Sequence, residues 1–240
     1  MASGVSVIAV SADQPVVILG GFLITDEAYR PMADWIAKRT GAPVRIVHAS
    51  RLDWLATSWG FGWVRLLDRV EDSVREVQEL CPGRSVTLVG HSSGGVMLRP
   101  YLADASFEGR CYRGAERCNR LITLGSPHQA LRATPLRAAV DRRFPGCPCS
   151  DRVDYVAVAG TLDLSGANAS AFSRRSAARS YLKINGDAAA SGDGLVPLES
   201  ALLSDARAVV LEDTAHGGLF GQSWYGSVNR IEAWWSAAQS

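Results

Sequence analysis

The chain has 240 residues, long enough to bury a core without disulfide or metal staples and short of two full-sized domains. With 47% apolar and 20% charged residues it is globular rather than disordered. Lys and Arg number 25 against 24 Asp and Glu, a net charge of +1, which excludes a basic nucleic-acid face and an acidic tail.

Met1 to Val10 carries no positive start, and its apolar run Val5–Val10 is short and broken by Ser6. No export leader is expected from it, and no stretch reaches the ~18 apolar residues of a spanning helix. The expected location is the cytoplasm. Pro15–Leu19 reads as a β-branched strand closed by Gly20-Gly21. Ala28–Thr40 reads as a helix stopped by Gly41, with Met32, Trp35 and Ile36 on one side. Val44–His48 is a second strand. Val64, Leu67, Val70, Val74, Val77 and Leu80 recur at helical spacing and define the clearest helix. Ser85–Gly90 is a buried-type strand that runs directly into a helix over Ser92–Ala103. Leu121–Leu124, Val153–Gly160 and Ala206–Leu211 are further strands. Ser223–Ala237 is a terminal helix, in which Trp234-Trp235 marks either a core face or a partner face. Such alternation predicts an α/β fold: a mostly parallel central sheet with helices on both faces. Residues 104–118 and 161–192 fit the pattern less well and read as excursions over the carboxyl edge of the sheet, where ligands bind.

Five cysteines, at 81, 111, 118, 147 and 149, have irregular spacing, and Cys147-Pro-Cys149 is one residue too tight for a CxxC pair. Free thiols are expected, a Cys111–Cys118 disulfide is the alternative, and no metal site is indicated.

The most informative segment is Gly90-His91-Ser92-Ser93-Gly94, a G-x-S-x-G motif between an apolar strand and an apolar helix. A serine in that context is thrust out at a sharp strand-to-helix turn, where the helix dipole favours developing negative charge. As a mere N-cap, Ser92 would not need glycine on both sides.

With these residues the chain resembles the α/β-hydrolases, and more closely the lipase-like serine hydrolases of cyanobacteria and plants. The resemblance rests on the Gly-Gly turn, Arg51-Leu-Asp-Trp54-Leu, Gly90-His-Ser92-Ser-Gly94-Gly, Leu124-Gly-Ser-Pro127-His128, and Gly192-Asp193-Gly-Leu-Val-Pro197 with the later His216. The last three groups also resemble bacterial lipases and inositol-deacylase relatives. The resemblance implies an α/β-hydrolase fold with a small or absent lid and an esterase or lipase activity.

Serine needs a base. Among the four histidines, His91 is expected to point away from the apex as packing support, and His48 to sit on the rim. His128 could line the pocket. His216 follows the last strand and fits the chain order Ser, acid, His. Between Ser92 and His216 the acid candidates are Asp193, Asp163, Asp187 and Asp213, and the resemblance assigns the role to Asp193. The oxyanion donors are then the backbone amides of Ser93 and Phe22, although many lipases carry His-Gly where this chain has Gly20-Gly21.

Trp54, Trp59, Phe61 and Trp63 either line an acyl site, with Trp54 and His128 as substrate contacts, or touch lipid at a membrane surface, or belong to the core. Arg51 and Asp53 are expected to brace that loop as an ion pair. Residues 129–150 leave room for one helix and a loop over the site. The expected protein is a single catalytic domain over residues 1–240. It needs no cofactor and cleaves small-molecule or lipid esters with an apolar acyl group. A thioesterase, an amidase, or a non-catalytic binding protein on the same fold are the alternatives.

Overall fold

The strands form on runs rich in β-branched and other apolar residues, and they assemble into one sheet. The computed structural model describes residues 8–239, so the first half of the Val5–Val10 run lies outside the described residues. Six strands, β1 (Val16–Leu19), β2 (Val44–Ile46), β3 (Val86–His91), β4 (Cys118–Leu124), β5 (Asp154–Gly160) and β6 (Arg207–Leu211), lie in the order β2-β1-β3-β4-β5-β6. Every neighbouring pair is parallel. Successive side chains enter opposite layers: Val17 and Leu19 join one core, Val16 and Ile18 the other.

Helices cover both faces. On one side lie α2 (Arg51–Ala56), α3 (Gly60–Leu80), α4 (Ser93–Leu102) and α5 (Pro135–Arg143). On the other lie α1 (Arg30–Thr40) and, at the chain's end, α8 (Val228–Gln239), which buries Trp234 and Trp235 in the core rather than offering them to a partner. Residues 161–192 are not structureless. They carry α6 (Ala171–Asn185), capped by Ser170 accepting from the Ser173 amide, and are followed by the short α7 (Leu198–Ala201). Residues 104–118 do not reach the site. They fold onto the outer helices, with Phe107 against Trp63 and the Tyr112 hydroxyl donating to Asp68.

Two local expectations change. The terminal helix begins at Val228, because the preceding turn is held by side chains: the Ser223 amide donates to Asn168 Oδ1 and the Trp224 amide to Ser227 Oγ. Asp53 pairs with Arg69 (2.8 Å) and Arg65 (3.3 Å) instead of Arg51. It also closes a capping box with Ser50 at the start of α2, which leaves Arg51 exposed. The five cysteines are free. Among the described residues no helix is long and apolar enough to cross a membrane.

Candidate active site

The sheet's carboxyl edge gathers the loops that matter. Ser92 follows β3 with φ 53° and ψ −123°, a conformation that L-residues rarely adopt, and its side chain makes no cap hydrogen bond to α4. The turn closes only because Gly94 lacks a side chain. A Cβ there would sit 2.4 Å from the carbonyl oxygens of both Leu19 and Gly20.

Freed from capping, the Ser92 hydroxyl reaches His216. Its Oγ lies 2.9 Å from His216 Nε2, and His216 Nδ1 lies 2.8 Å from Asp193 Oδ2. All three residues are buried. The Asp193 loop is organised to present the carboxylate. Oδ1 accepts the amides of Leu195 (3.1 Å) and Val196 (2.8 Å), and Tyr181 of α6 accepts the Gly194 amide (2.7 Å). A fourth donor is the Tyr225 hydroxyl, 3.0 Å from Oδ2. The His216 amide in turn donates to the Asp193 carbonyl (2.8 Å), joining the two loops. Phe220 stands edge-on to the His216 ring at 5.7 Å.

The other acid candidates lie elsewhere. Asp163 accepts from Ser165 in a tight turn, which holds its carboxyl below the usual range, and Asp187 accepts the Ala189 amide. Asp213 sits in the left-handed region at φ 44°.

Phe22, in the turn after β1, and Ser93, the first residue of α4, lie on either side of the expected oxyanion position. Ser93 opens α4, so its amide has no carbonyl one helical turn earlier to satisfy it. Gly21 abuts Ser92 so closely that a Cβ would fall 2.8 Å from the serine Cβ. The Gly21 carbonyl accepts the Ile24 amide (3.0 Å), which fixes the turn bearing Phe22.

Two expected substrate contacts change. His128 is buried and held by its own partners: its amide donates to the Ser126 and Ser200 carbonyls (both 2.8 Å) and its Nε2 meets Thr123 Oγ1 (3.1 Å). Burial, aided by Arg99 and Arg137, pushes its imidazole well below the usual range, so it is neutral. It lines a separate cavity of about 510 Å³ with Arg99 and Asp141, one whose walls do not include the Ser92–His216–Asp193 group. Trp54 is fully buried beneath the edge of Phe22 (6.4 Å), where core packing withdraws it from any ligand. Trp63 is likewise core, whereas Trp59 and Phe61 stack on each other in solvent, 60% and 64% exposed. His48 sits on the exterior beside Asp26.

Tyr225 and Tyr29 were not singled out in the sequence, since a lone tyrosine reads as core. His91 is more than packing: its Nε2 lies 2.8 Å from the His216 carbonyl oxygen and its Nδ1 2.7 Å from the Tyr29 hydroxyl. Among the described residues no cluster of three or more His, Cys, Asp or Glu has the arrangement of a metal site.

The fold recurs in known structures. A protein described as a hydrolase of the α/β superfamily from Xanthomonas campestris pv. campestris superposes with a TM-score of 0.53 at 15% identity, covering 94% of this chain and 98% of that one. Est1E from Butyrivibrio proteoclasticus, bound to ferulic acid, gives 0.53 at 12% identity over 94% and 86%. Phospholipase PlaB from Legionella pneumophila gives 0.53 at 13% identity over 94% and 60%. These likenesses establish the α/β-hydrolase fold. No curated protein matches the sequence significantly. The palmitoyl protein thioesterase family profile matches residues 15–183, the span from β1 into α6 that contains the Ser92 elbow, and the chain belongs to that family.

Proposed function

We propose that this protein is a serine hydrolase that cleaves an ester or thioester carrying an apolar acyl group. The observation that carries the reading is the unbroken line from Ser92 Oγ to His216 Nε2 (2.9 Å) and from His216 Nδ1 to Asp193 Oδ2 (2.8 Å). Family membership favours the thioester among these substrates.

In this reading His216 takes the Ser92 proton as Oγ attacks the acyl carbonyl. Asp193 holds the imidazole with Nδ1–H toward its carboxylate and stabilises the cation that forms. The Phe22 and Ser93 amides receive the oxyanion. The alcohol or thiol departs with the proton carried by His216, and water releases the acyl group by the reverse sequence. Every proton is moved by one imidazole. Exposed Phe22, Leu23, Trp59 and Phe61 supply apolar surface in the segments that follow β1 and β2, and Leu219 supplies it three positions after His216.

The test is hydrolysis of p-nitrophenyl esters and acyl thioesters of graded chain length by wild type and Ser92→Ala. The variant is expected to fold and to lose turnover. Intact mass after fluorophosphonate treatment is expected to show one adduct on the wild type and none on the variant. Equal turnover in the variant, or an unlabelled folded wild type, overturns the reading.

A further inference from the structure

Beneath Ser92 runs a buried hydrogen-bond chain in which the Ser92 hydroxyl takes no part. The Gly21 amide lies 2.8 Å from the Tyr29 hydroxyl oxygen, that oxygen lies 2.7 Å from His91 Nδ1, and His91 Nε2 lies 2.8 Å from the His216 carbonyl oxygen. Its direction follows from the ends. A backbone amide can only donate and a carbonyl can only accept. Burial, with His216 nearby, pushes the His91 imidazole well below the usual range, so it carries a single proton. That proton must lie on Nε2 to reach the His216 carbonyl. Nδ1 is then an acceptor, the Tyr29 hydroxyl donates to it, and the hydroxyl oxygen accepts the Gly21 amide. Only one proton arrangement satisfies every member.

The chain is sealed. Tyr29 and His91 have no solvent exposure. Trp224 packs edge-on against both rings at 6.0 and 5.7 Å, and Tyr225 covers His91 at 5.8 Å. A missing link could not be replaced by bulk water, so the loss of one partner leaves another buried polar group unpaired.

Its two ends are the two halves of the proposed chemistry. Gly21 precedes Phe22, whose amide is one oxyanion donor. The other end is the main chain of His216, the base. We propose that Tyr29 and His91 are positioning residues that lock the oxyanion loop to the base-bearing loop through this chain. The inference rests on the proposed Ser92 hydrolysis. It adds that the spacing between the oxyanion amide and the imidazole is set from below, by residues that never meet substrate.

Three variants test it in the full chain, with kcat and KM measured on a p-nitrophenyl ester. Tyr29→Phe removes one oxygen, keeps the ring, and unpairs both the Gly21 amide and His91 Nδ1. Its kcat is expected to fall about tenfold, as for one buried hydrogen bond lost at the transition state, with KM unchanged. His91→Leu fills the space without a donor, and a comparable fall is expected. His91→Gln keeps an amide N–H that can reach the His216 carbonyl, and its kcat is expected to exceed that of His91→Leu at least about threefold. A packing role alone would make Gln no better than Leu, and that result overturns the proposal. So does wild-type kcat in Tyr29→Phe, the deciding variant where His91→Leu does not fold. Failure of the underlying reading is separate: it appears as Ser92-independent turnover, or none, in the wild type.

Discussion

The Tyr225 hydroxyl donates to Asp193 Oδ2 at 3.0 Å, the same oxygen that His216 Nδ1 engages at 2.8 Å. With Leu195 and Val196 on Oδ1, the buried carboxylate has four donors, and its plane is fixed before the imidazole arrives. Burial, reinforced by Asp193, pushes the Tyr225 phenol well above its usual range, so it remains a donor throughout the working pH range. Tyr225→Phe deletes one donor without opening a cavity. Stability is expected to fall by about 1 kcal/mol, and kcat several-fold, as the carboxylate gains freedom to rotate. Urea unfolding and steady-state kinetics check both. Unchanged values would mean that the three remaining donors suffice.

Ser92 sits at φ 53°, so the backbone of the proposed nucleophile works against stability. Glycine adopts that conformation without the clash. Ser92→Gly is expected to be inactive yet more stable than the wild type, by about 1 kcal/mol out of the ~1–3 kcal/mol such strain stores. Differential scanning calorimetry reads the shift. A lower melting temperature would show that the lost Oγ–His216 hydrogen bond outweighs the relieved strain.

Much of this arrangement is visible in the sequence, and for a physical reason. Short apolar runs rich in β-branched residues favour strands, those closed by glycine most clearly, and all six predicted strands are present. The elbow is legible because Gly94 answers a steric demand that no other residue meets. What escaped is what depends on distant partners. Helix α6 is built from Ala, Ser and Arg, with too weak an apolar stripe to distinguish it from a loop. Asp53 looks like a partner for its neighbour Arg51, yet helix geometry brings Arg69 of α3 to it across 16 positions. His128 looks like a pocket residue because it follows a strand, but the Ser200 carbonyl draws it into another cavity. Tyr29 and Tyr225 carry no local signal, since their roles are created by residues 62 and 32 positions away, His91 at the end of β3 and Asp193.

Acid should destabilise the fold well before its carboxylates protonate. Burial holds His91 and His128 far below the usual histidine range, with His216 adding to the first and Arg99 and Arg137 to the second. The native protein therefore takes up no further proton at either ring as pH falls through about 6.5, while in the unfolded chain each of the two rings takes up one. Stability is fully present above the unfolded value and is lost below it. From pH 6.5 to 5.5 the two rings together are expected to cost about 2 kcal/mol. Urea midpoints at the two pH values measure this. His128→Gln, which removes one of the two titrations, is expected to halve the loss, and an unchanged slope would assign it to other groups.

The stacked pair Trp59 and Phe61 bears on what the site receives. Both rings stand largely in solvent, parallel to within 15°, close after α2, whose Trp54 underlies Phe22 of the proposed oxyanion loop. Such exposure costs stability unless something apolar covers it. Trp59→Ser with Phe61→Ser removes no core contact, so stability is expected to stay within about 0.5 kcal/mol. If the pair grips the acyl chain, losing contact with a few methylenes, at roughly 0.8 kcal/mol each, raises KM tenfold or more for a palmitoyl thioester presented as a monomer. A butyryl thioester, too short to reach the rings, is expected to keep its KM, and kcat should hold for both because Ser92, His216 and Asp193 are untouched. If the pair instead seats the protein on a lipid surface, the monomeric substrate is unaffected and only vesicle-borne substrate loses turnover. Measuring both presentations with the double variant separates an acyl-binding role from a membrane-docking one.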